Sequence, residues 1–516
     1  MKISKNVRLM AMLVLMVTLS LALFTGGANS ATKPSTSDKT LSIALASTIA
    51  TMDPKISNDR YSSNIYRCIY ESLLTYDKNK KIVANSIVKE YRRVNDVTYN
   101  FKLVKGIYFD NGEELKAGDV KFSLERGIGT SINYLVGDIK HVDVLGDYEF
   151  NIVIKAPNGA FLAALTTPQT GILNKEAVTK AGNSYQLHPI GTGPYKFVSW
   201  EQGVSVTLER KVDYYGKAPF YKKLVFKEIT DDTTRANQLE SGGVNAASIS
   251  AIDVSRFSGN RNFMIVKAPT YGLVYIGMNY NSKNVKNQIV RQAIAYAINT
   301  SSIAKAAYLG YAKVATSILN PNVTFSIANE LKPNQYNPDK AKALLAQAGY
   351  KNRSLKLTLV IDNRTDVTAV GTMVKEYLNK VGIDCKIVTG DKTTMSGSYY
   401  AKGAEYDIFV GTWYCATSDA NTQIFQTFHS FCNGATGGYV WMHRDDIDKK
   451  IETARASLDS KKRAELYKEI QQLVYTEKWW VPVLYYVDCW GVAKDVDISA
   501  CLDPTGQHLW WKAVGK

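Results

Sequence analysis

Cysteine, histidine and proline are scarce in this chain of 516 residues, at six, five and thirteen copies. Six cysteines are too few to build a scaffold of this size from disulfides, so a hydrophobic core has to hold it. With five histidines, no paired C-x-x-C and no H-E-x-x-H, the common zinc signatures are missing, and neither a metal nor another cofactor is expected. His429 and Cys432, with Cys415 and His443 nearby in sequence, lack ligand spacing and read as a disulfide with surface histidines. There is no G-x-x-x-x-G-K-[ST] cradle and no G-x-S-x-G elbow. Residues 191–194 (GTGP) open like a dinucleotide loop, but Pro194 leads into a strand, not the helix N-terminus a phosphate needs. The paired carboxylates at 113–114, 231–232 and 445–446 are sequence neighbours, which diverge on a strand or helix and make no acid–base dyad. No enzyme signature remains, and the chain is not expected to be an enzyme. Acidic residues are the minority, 47 against 63 basic, for a net charge of +16. The basic residues come in short groups such as Lys80 with Lys81, without the motif of a nucleic-acid module. Nucleic acid is therefore set aside in favour of a diffuse, solvated basic surface.

Long apolar runs are also missing, except at the start. Lys2, Lys5 and Arg8 precede an apolar stretch over residues 9–24, and small residues follow at 26–31. That is the layout of a secretory leader over residues 1–30, with Ala28 and Ser30 suited to a cut after Ser30. The leader takes three positive charges with it, leaving +13, and contains no cysteine for lipid attachment. Residues 31–40 read as a disordered Ser/Thr-rich tether. Export makes disulfides possible, and the pairs nearest in sequence, Cys415 with Cys432 and Cys489 with Cys501, are the expected ones.

What is abundant is aromatic and apolar: 45% hydrophobic residues, and 32 tyrosines among 11% aromatics. Those proportions belong to a folded chain long enough for two or three cores, and the rings suit wet clefts. Strand-like alternation over residues 40–46, 97–103 and 148–154, and a hairpin around residues 201–203, are interleaved with helices. Asn337, Pro338 and Gly349 bracket one helix as cap, first position and stop. Two more apolar stripes, broken at residues 459–460, run from 446 to 477.

The blocks 51–54 (TMDP), 69–76 (IYESLLTY), 189–195 (PIGTGPY), 290–297 (VRQAIAYA) and 406–413 (YDIFVGTW) occur in a telling order. The most specific stretch is 97–126, VTYNFKLVKGIYFDNGEELKAGDVKFSLER. This succession resembles the family 5 extracellular solute-binding proteins of ABC importers, the oligopeptide, dipeptide and nickel group. The resemblance implies an α/β, periplasmic-binding-protein-like fold with two hinged lobes and an additional subdomain inserted in lobe I. Lobe I would comprise residues 41–64, 188–271 and 485–516, the insertion 65–187 and lobe II 272–484. It further implies a monomeric protein, periplasmic or at the cell surface, that closes on a small solute and presents it to the transmembrane subunits of an ABC permease. A short peptide is the leading ligand. An oligosaccharide or a nickel chelate within the same fold, and an exported hydrolase outside it, remain as alternatives.

In peptide-binding members of that family, a carboxylate three residues after a tryptophan receives the peptide's amino group. Here Trp413 is followed at that spacing by Ala416. Asp419, at a second acidic position, substitutes only if the loop is rearranged. Arg364 falls near the place where dipeptide binders hold the ligand carboxylate; a lobe–lobe salt bridge is the competing role. Trp413, Tyr414, Tyr439 and Trp441 either line the cleft or pack in the core, with the cleft favoured for Trp413 and Trp441. Thr48, at the end of the first strand, would offer backbone groups to an extended ligand.

Overall fold

The computed structural model describes residues 36–57, 59–434 and 437–516, so the expected leader lies outside the described residues. Two long antiparallel strands, Phe263–Met278 and Trp480–Ala493, run through the middle of an eleven-stranded mixed sheet. On one side the sheet continues through Ile408–Tyr414, Leu355–Asp362 and Ile383–Gly390. On the other it continues through Ala246–Ser248, Thr40–Leu45, Lys223–Glu228, Ser205–Arg210 and Tyr195–Glu201. The pairs Thr40–Leu45 with Lys223–Glu228 and Leu355–Asp362 with Ile383–Gly390 are parallel, as helix-covered sheets require.

Three large cores, and a smaller one around Ala236, Leu239, Ile249 and Phe257, organise the described residues. One gathers Leu41, Ile43, Tyr66, Leu224 and Phe226 with Trp490 and Trp510 from the C-terminal segment. A second runs from Tyr271 to Tyr486. The third lies within residues 73–172, on a separate four-stranded sheet in the order Val88–Asn95, Thr98–Leu103, Glu149–Ile154, Ile139–Gly146. Buried polar groups fasten this third body to the first. Lys55 is fully buried, and its Nζ donates to the carbonyls of Gln169 at 2.9 Å and Gly171 at 2.6 Å. Burial pulls its pKa down to about 7, against the opposing pull of Asp53. Asp53 in turn accepts both prongs of Arg126, at 2.9 and 2.6 Å. A single removed partner would strand a buried charge, so this joint is rigid by construction.

Local chemistry places the elements where the sequence does. The Asn337 side chain accepts from Lys340 N–H at 2.9 Å ahead of the helix Pro338–Gln347, and Gly349 follows it at φ 87°. Asp459 caps Ser460–Glu477 and separates it from Asp445–Ala456. Tyr195–Glu201 and Ser205–Arg210 form the expected hairpin.

Two expectations fail. The described end of the expected tether is held in place: Ser37 N–H donates to Phe220 O at 2.8 Å, and Thr40 already opens a strand. Neither expected disulfide forms, because Cys415, Cys489 and Cys501 are buried free thiols, as are Cys68 and Cys385. Cys415 Sγ and Cys489 Sγ instead donate to the carbonyls of Asp419 and Val487. Nearness along the chain says little about Cβ geometry. Among the described residues, no helix is long and apolar enough to cross a membrane.

Candidate functional site

The two long strands lose register where they pass between the first and second cores. Pro269 pairs with Val487 and Leu273 with Tyr485, so Thr270, Tyr271 and Gly272 stand opposite Tyr486 alone. Thr270 Oγ1 donates to Tyr486 O at 2.9 Å, and Tyr271 N–H turns away to Pro504 O at 2.7 Å. Such a bulge bends the ribbon and re-aims its side chains. Gly272 is needed there, since a Cβ would lie 2.7 Å from Cε1 of Tyr414 on the paired strand.

Tyr414 is the centre of what the bulge exposes. Its ring stacks on Tyr486, with centroids 5.2 Å apart and planes 17° from parallel. The Arg60 guanidinium lies 4.2 Å from the Tyr414 centroid, a cation–π contact joining a helix of the first core to a strand of the second. Arg60 also donates to Tyr61 OH at 2.9 Å and stands 3.6 Å from Asp488. Burial alone would lower its pKa, and the surrounding Tyr61, Tyr414 and Asp488 outweigh that and raise it. On the second body, Tyr486 OH and Tyr308 OH both donate to Asp366 Oδ2, at 2.7 and 2.8 Å. Arg364 Nε donates to Asp362 Oδ1 at 3.2 Å and lies 3.6 Å from Asp366. Burial would raise the Asp366 pKa, but Arg364 and the two hydroxyls hold it below the ordinary range. The carboxylate is thus ionised at neutral pH and fixes both rings. The terminal nitrogens of Arg364 have no hydrogen-bond partner among the described residues, so its fork stays available.

A second contact between bodies lies beside this cluster. Arg455 pairs with Asp138 at 2.6 Å, Arg463 Nη1 donates to Gly159 O at 3.1 Å, and Gly159 N–H donates to Arg455 O at 2.8 Å. The cavity left between Asp138, Phe161, Asn421 and Arg455 is only about 30 Å³, so the bodies meet closely there.

The structure brings together some of the expected site residues and disperses others. Tyr414 and Arg364 belong to the same cluster, and Ala416 lies two residues along the loop, half-buried. Trp413 is half-buried against Gly437, with its indole N–H lacking an acceptor among the described residues. Asp419 is engaged elsewhere: its two oxygens accept from Arg463 at 2.8 and 2.9 Å, and it caps the helix Ala420–Phe428. Trp441, favoured for the cleft, is half-buried and packs against the second core. Its N–H donates to Tyr400 O at 2.9 Å, and Gly403 and Gly434 leave room for its ring. Tyr439 stacks on Tyr400 with centroids 4.3 Å apart. Thr48 is exposed beyond the end of its strand and contributes nothing to the cluster.

Sequence reasoning missed Arg60, Tyr308, Asp366 and Tyr486. Arg60 carried a signal: a cation in the first turn of a helix opposes the macrodipole, and such a conflict needs a reason. The three others carried none, since contacts across the sheet have no sequence spacing.

The C-terminal segment closes the first body behind this cluster. His508 is buried against Trp490 and Trp510, and its Nδ1 accepts from Asp503 N–H at 3.1 Å. Burial lowers its pKa from 6.5 to about 4. Between those values the unfolded chain takes up a proton that the folded chain refuses. The resulting stability is intact above about pH 6.5 and falls as the pH drops toward 4, by roughly 3 kcal/mol for this group. Urea unfolding at neutral pH and at pH near 4.5 should show a larger acid loss for the wild type than for His508→Gln. Equal losses would refute the assignment.

Comparison with known proteins adds an independent line. Residues 84–435 match the model of the bacterial extracellular solute-binding proteins, family 5 middle region. The glutathione-binding protein GsiB of Salmonella choleraesuis (strain SC-B67) is 28% identical over 462 residues, covering 87% of this chain and 90% of that protein. The periplasmic binding protein DppA of Helicobacter pylori, solved with the peptide STSA, has a TM-score of 0.81 at 23% identity, covering 92% of this chain and 98% of that one. NikZ of Campylobacter jejuni, solved with Ni(L-His), has a TM-score of 0.77 at 26% identity, covering 89% and 95%.

Proposed function

We propose that this chain, which belongs to the bacterial extracellular solute-binding proteins of family 5, captures a short peptide or a peptide-like carboxylate between two closing lobes. Proteins of this family bind solute and do not turn it over, so no catalytic residue is assigned. The observation that carries the ligand reading is the cluster around Tyr414, where Arg60 lies over the ring and Arg364, on the other body, joins through Asp366 and Tyr486. A guanidinium with free terminal N–H groups suits a carboxylate, because its fork matches two oxygens. Glutathione, peptides and L-histidine, the ligands named for the relatives, all carry such a group. An amino terminus is less well served, since Ala416 offers no charge and Asp419 is committed to Arg463. The oligosaccharide reading finds less support, because Trp441 and Tyr439, both half-buried, are engaged with Tyr400.

In this reading the Thr270–Gly272 bulge is the hinge. Residues 41–64, 188–271 and 485–516 form lobe I, 65–187 its insertion and 272–484 lobe II. The leader is cut after Ser30, and the monomeric mature protein works outside the cytoplasm with the transmembrane subunits of an ABC permease.

Thermal-shift titration tests the ligand class. Short peptides with a free carboxyl terminus should raise the melting temperature saturably, by about 2.7 kcal/mol of stabilisation at a hundred times Kd. Amidated peptides should do so much less. Stabilisation by oligosaccharides alone would overturn the reading, as would turnover of the ligand.

A further inference from the structure

The basic charge is not diffuse. Residues 283–356 contain eleven Lys and Arg against two Asp and Glu, a net +9 out of the whole chain's +16. Only one of the eleven, Arg291, is buried, and it is spoken for by Glu477 and the carbonyls of Val285 and Lys286.

Three of the rest, joined by Lys380, converge on one groove of the second body. The groove has a volume of about 960 Å³ and is lined by Lys342, Lys351, Arg353 and Lys380, with no acidic residue in its wall. All four cations are exposed, and none has an ion-pair partner among the described residues. Two helices, Pro338–Gln347 and Thr365–Lys380, end there, and their C-termini account for part of the attraction to cations. Each terminus is worth about half a negative charge, so roughly three positive charges stay uncompensated. Arg353 holds φ 59°, a region that residues other than glycine rarely adopt, with its N–H donating to Gly382 O at 2.7 Å. The backbone is thus fixed in a disfavoured conformation at the residue that contributes the guanidinium. The floor is apolar, made by Leu345, Leu355 and Val381, and Tyr350 stands at the wall.

From the four unpaired cations of this groove, three of them from one strongly basic segment, and the tyrosine at its wall, we infer that this face of the second body docks on an anionic lipid surface. Charge complementarity selects an anion. The choice of a bilayer over an acidic protein segment follows from how the charge is displayed. Long, exposed side chains of one sign spread over a lobe, with no fixed donor–acceptor set between them, suit mobile headgroups better than a folded partner. A tyrosine at the wall beside the cations suits the headgroup region. The consequence is that the protein would be concentrated at the membrane with its solute.

Co-sedimentation with vesicles tests this. The mature protein should bind vesicles of phosphatidylcholine mixed with phosphatidylglycerol at low salt, release at high salt, and ignore phosphatidylcholine alone. The quadruple variant Lys342→Gln, Lys351→Gln, Arg353→Gln, Lys380→Gln should bind roughly a hundredfold more weakly or worse. A second quadruple variant with the same charge loss on the separate four-stranded sheet, Lys89→Gln, Arg92→Gln, Arg93→Gln, Lys140→Gln, should bind like the wild type. Circular dichroism confirms that both are folded. Failure of the wild type to bind anionic vesicles overturns the proposal. So does an equal loss in both variants, or retained binding by the first, or capture of polyglutamate in the groove without vesicle binding.

Discussion

Replacing Asp419 by alanine is expected to lower the unfolding free energy by about 3–5 kcal/mol, the usual result of leaving one charge of a buried pair alone. The geometry justifies the upper part of that range. Arg463 and Asp419 meet through two bonds of 2.9 and 2.8 Å with side chains 6% and 11% exposed, so solvent screens little. Arg463 also donates to Gly159 O and Ala454 O, which ties three segments to one guanidinium. Asp419 additionally accepts from Asn421 N–H at 2.9 Å as a helix cap, worth about 1 kcal/mol more. Asp419→Asn keeps the cap and loses the charge, so it should fall between wild type and Asp419→Ala. Combining Asp419→Asn with Arg463→Met should cost less than the sum of the two, because the survivor of each single change is what destabilises. Chemical denaturation measures all four. If Asp419→Asn is as stable as wild type and fails only in ligand binding, Asp419 is a ligand group after all.

Arg364→Ala should cost about 1 kcal/mol of stability or less and weaken a carboxylate ligand by about 2–3 kcal/mol, roughly thirty- to a hundred-and-fiftyfold. The separation of the two effects follows from its position. Its side chain is 47% exposed, its hydrogen bond is to Asp362 at 3.2 Å, and its ion pair with Asp366, in the first turn of the helix it precedes, spans 3.6 Å in partly solvated surroundings. Arg364→Lys should recover only part of the affinity, since a point charge cannot present two parallel N–H groups. Titration with a peptide acid and its amide gives the decisive readout: the variant should lose the preference between them. An undiminished preference would move the carboxylate site to Arg60. A free-amino peptide, in turn, should gain affinity from Ala416→Asp.

How much of this was legible depended on whether the signal was local. The helix at 338–347 announced itself because cap, proline and stop residue act within their own turn. The hairpin at 195–210 and the break at Asp459 were legible for the same reason. The aromatic loop was not. Trp441 and Tyr414 lie 27 positions apart on either side of the same segment, yet one ring is tied to Tyr400 and the other lies under Arg60 of the first body. What separates them is the φ of 54° at Trp441 and the room left by two distant glycines, Gly403 and Gly434. Cysteine pairing failed for the same reason, since spacing in the chain does not orient Sγ.

By itself the sequence determined the abundance of apolar and aromatic residues, the positions of several strands and helices, the family and the excess of positive charge. Each of these is a property of residue type and near-neighbour spacing. Only the tertiary structure decided that Asp419 belongs to Arg463, that Arg60 reaches Tyr414, and that Lys342, Lys351, Arg353 and Lys380 share a groove. Those contacts join residues up to hundreds of positions apart. Their energies depend on distance and burial, which exist only once the chain has folded.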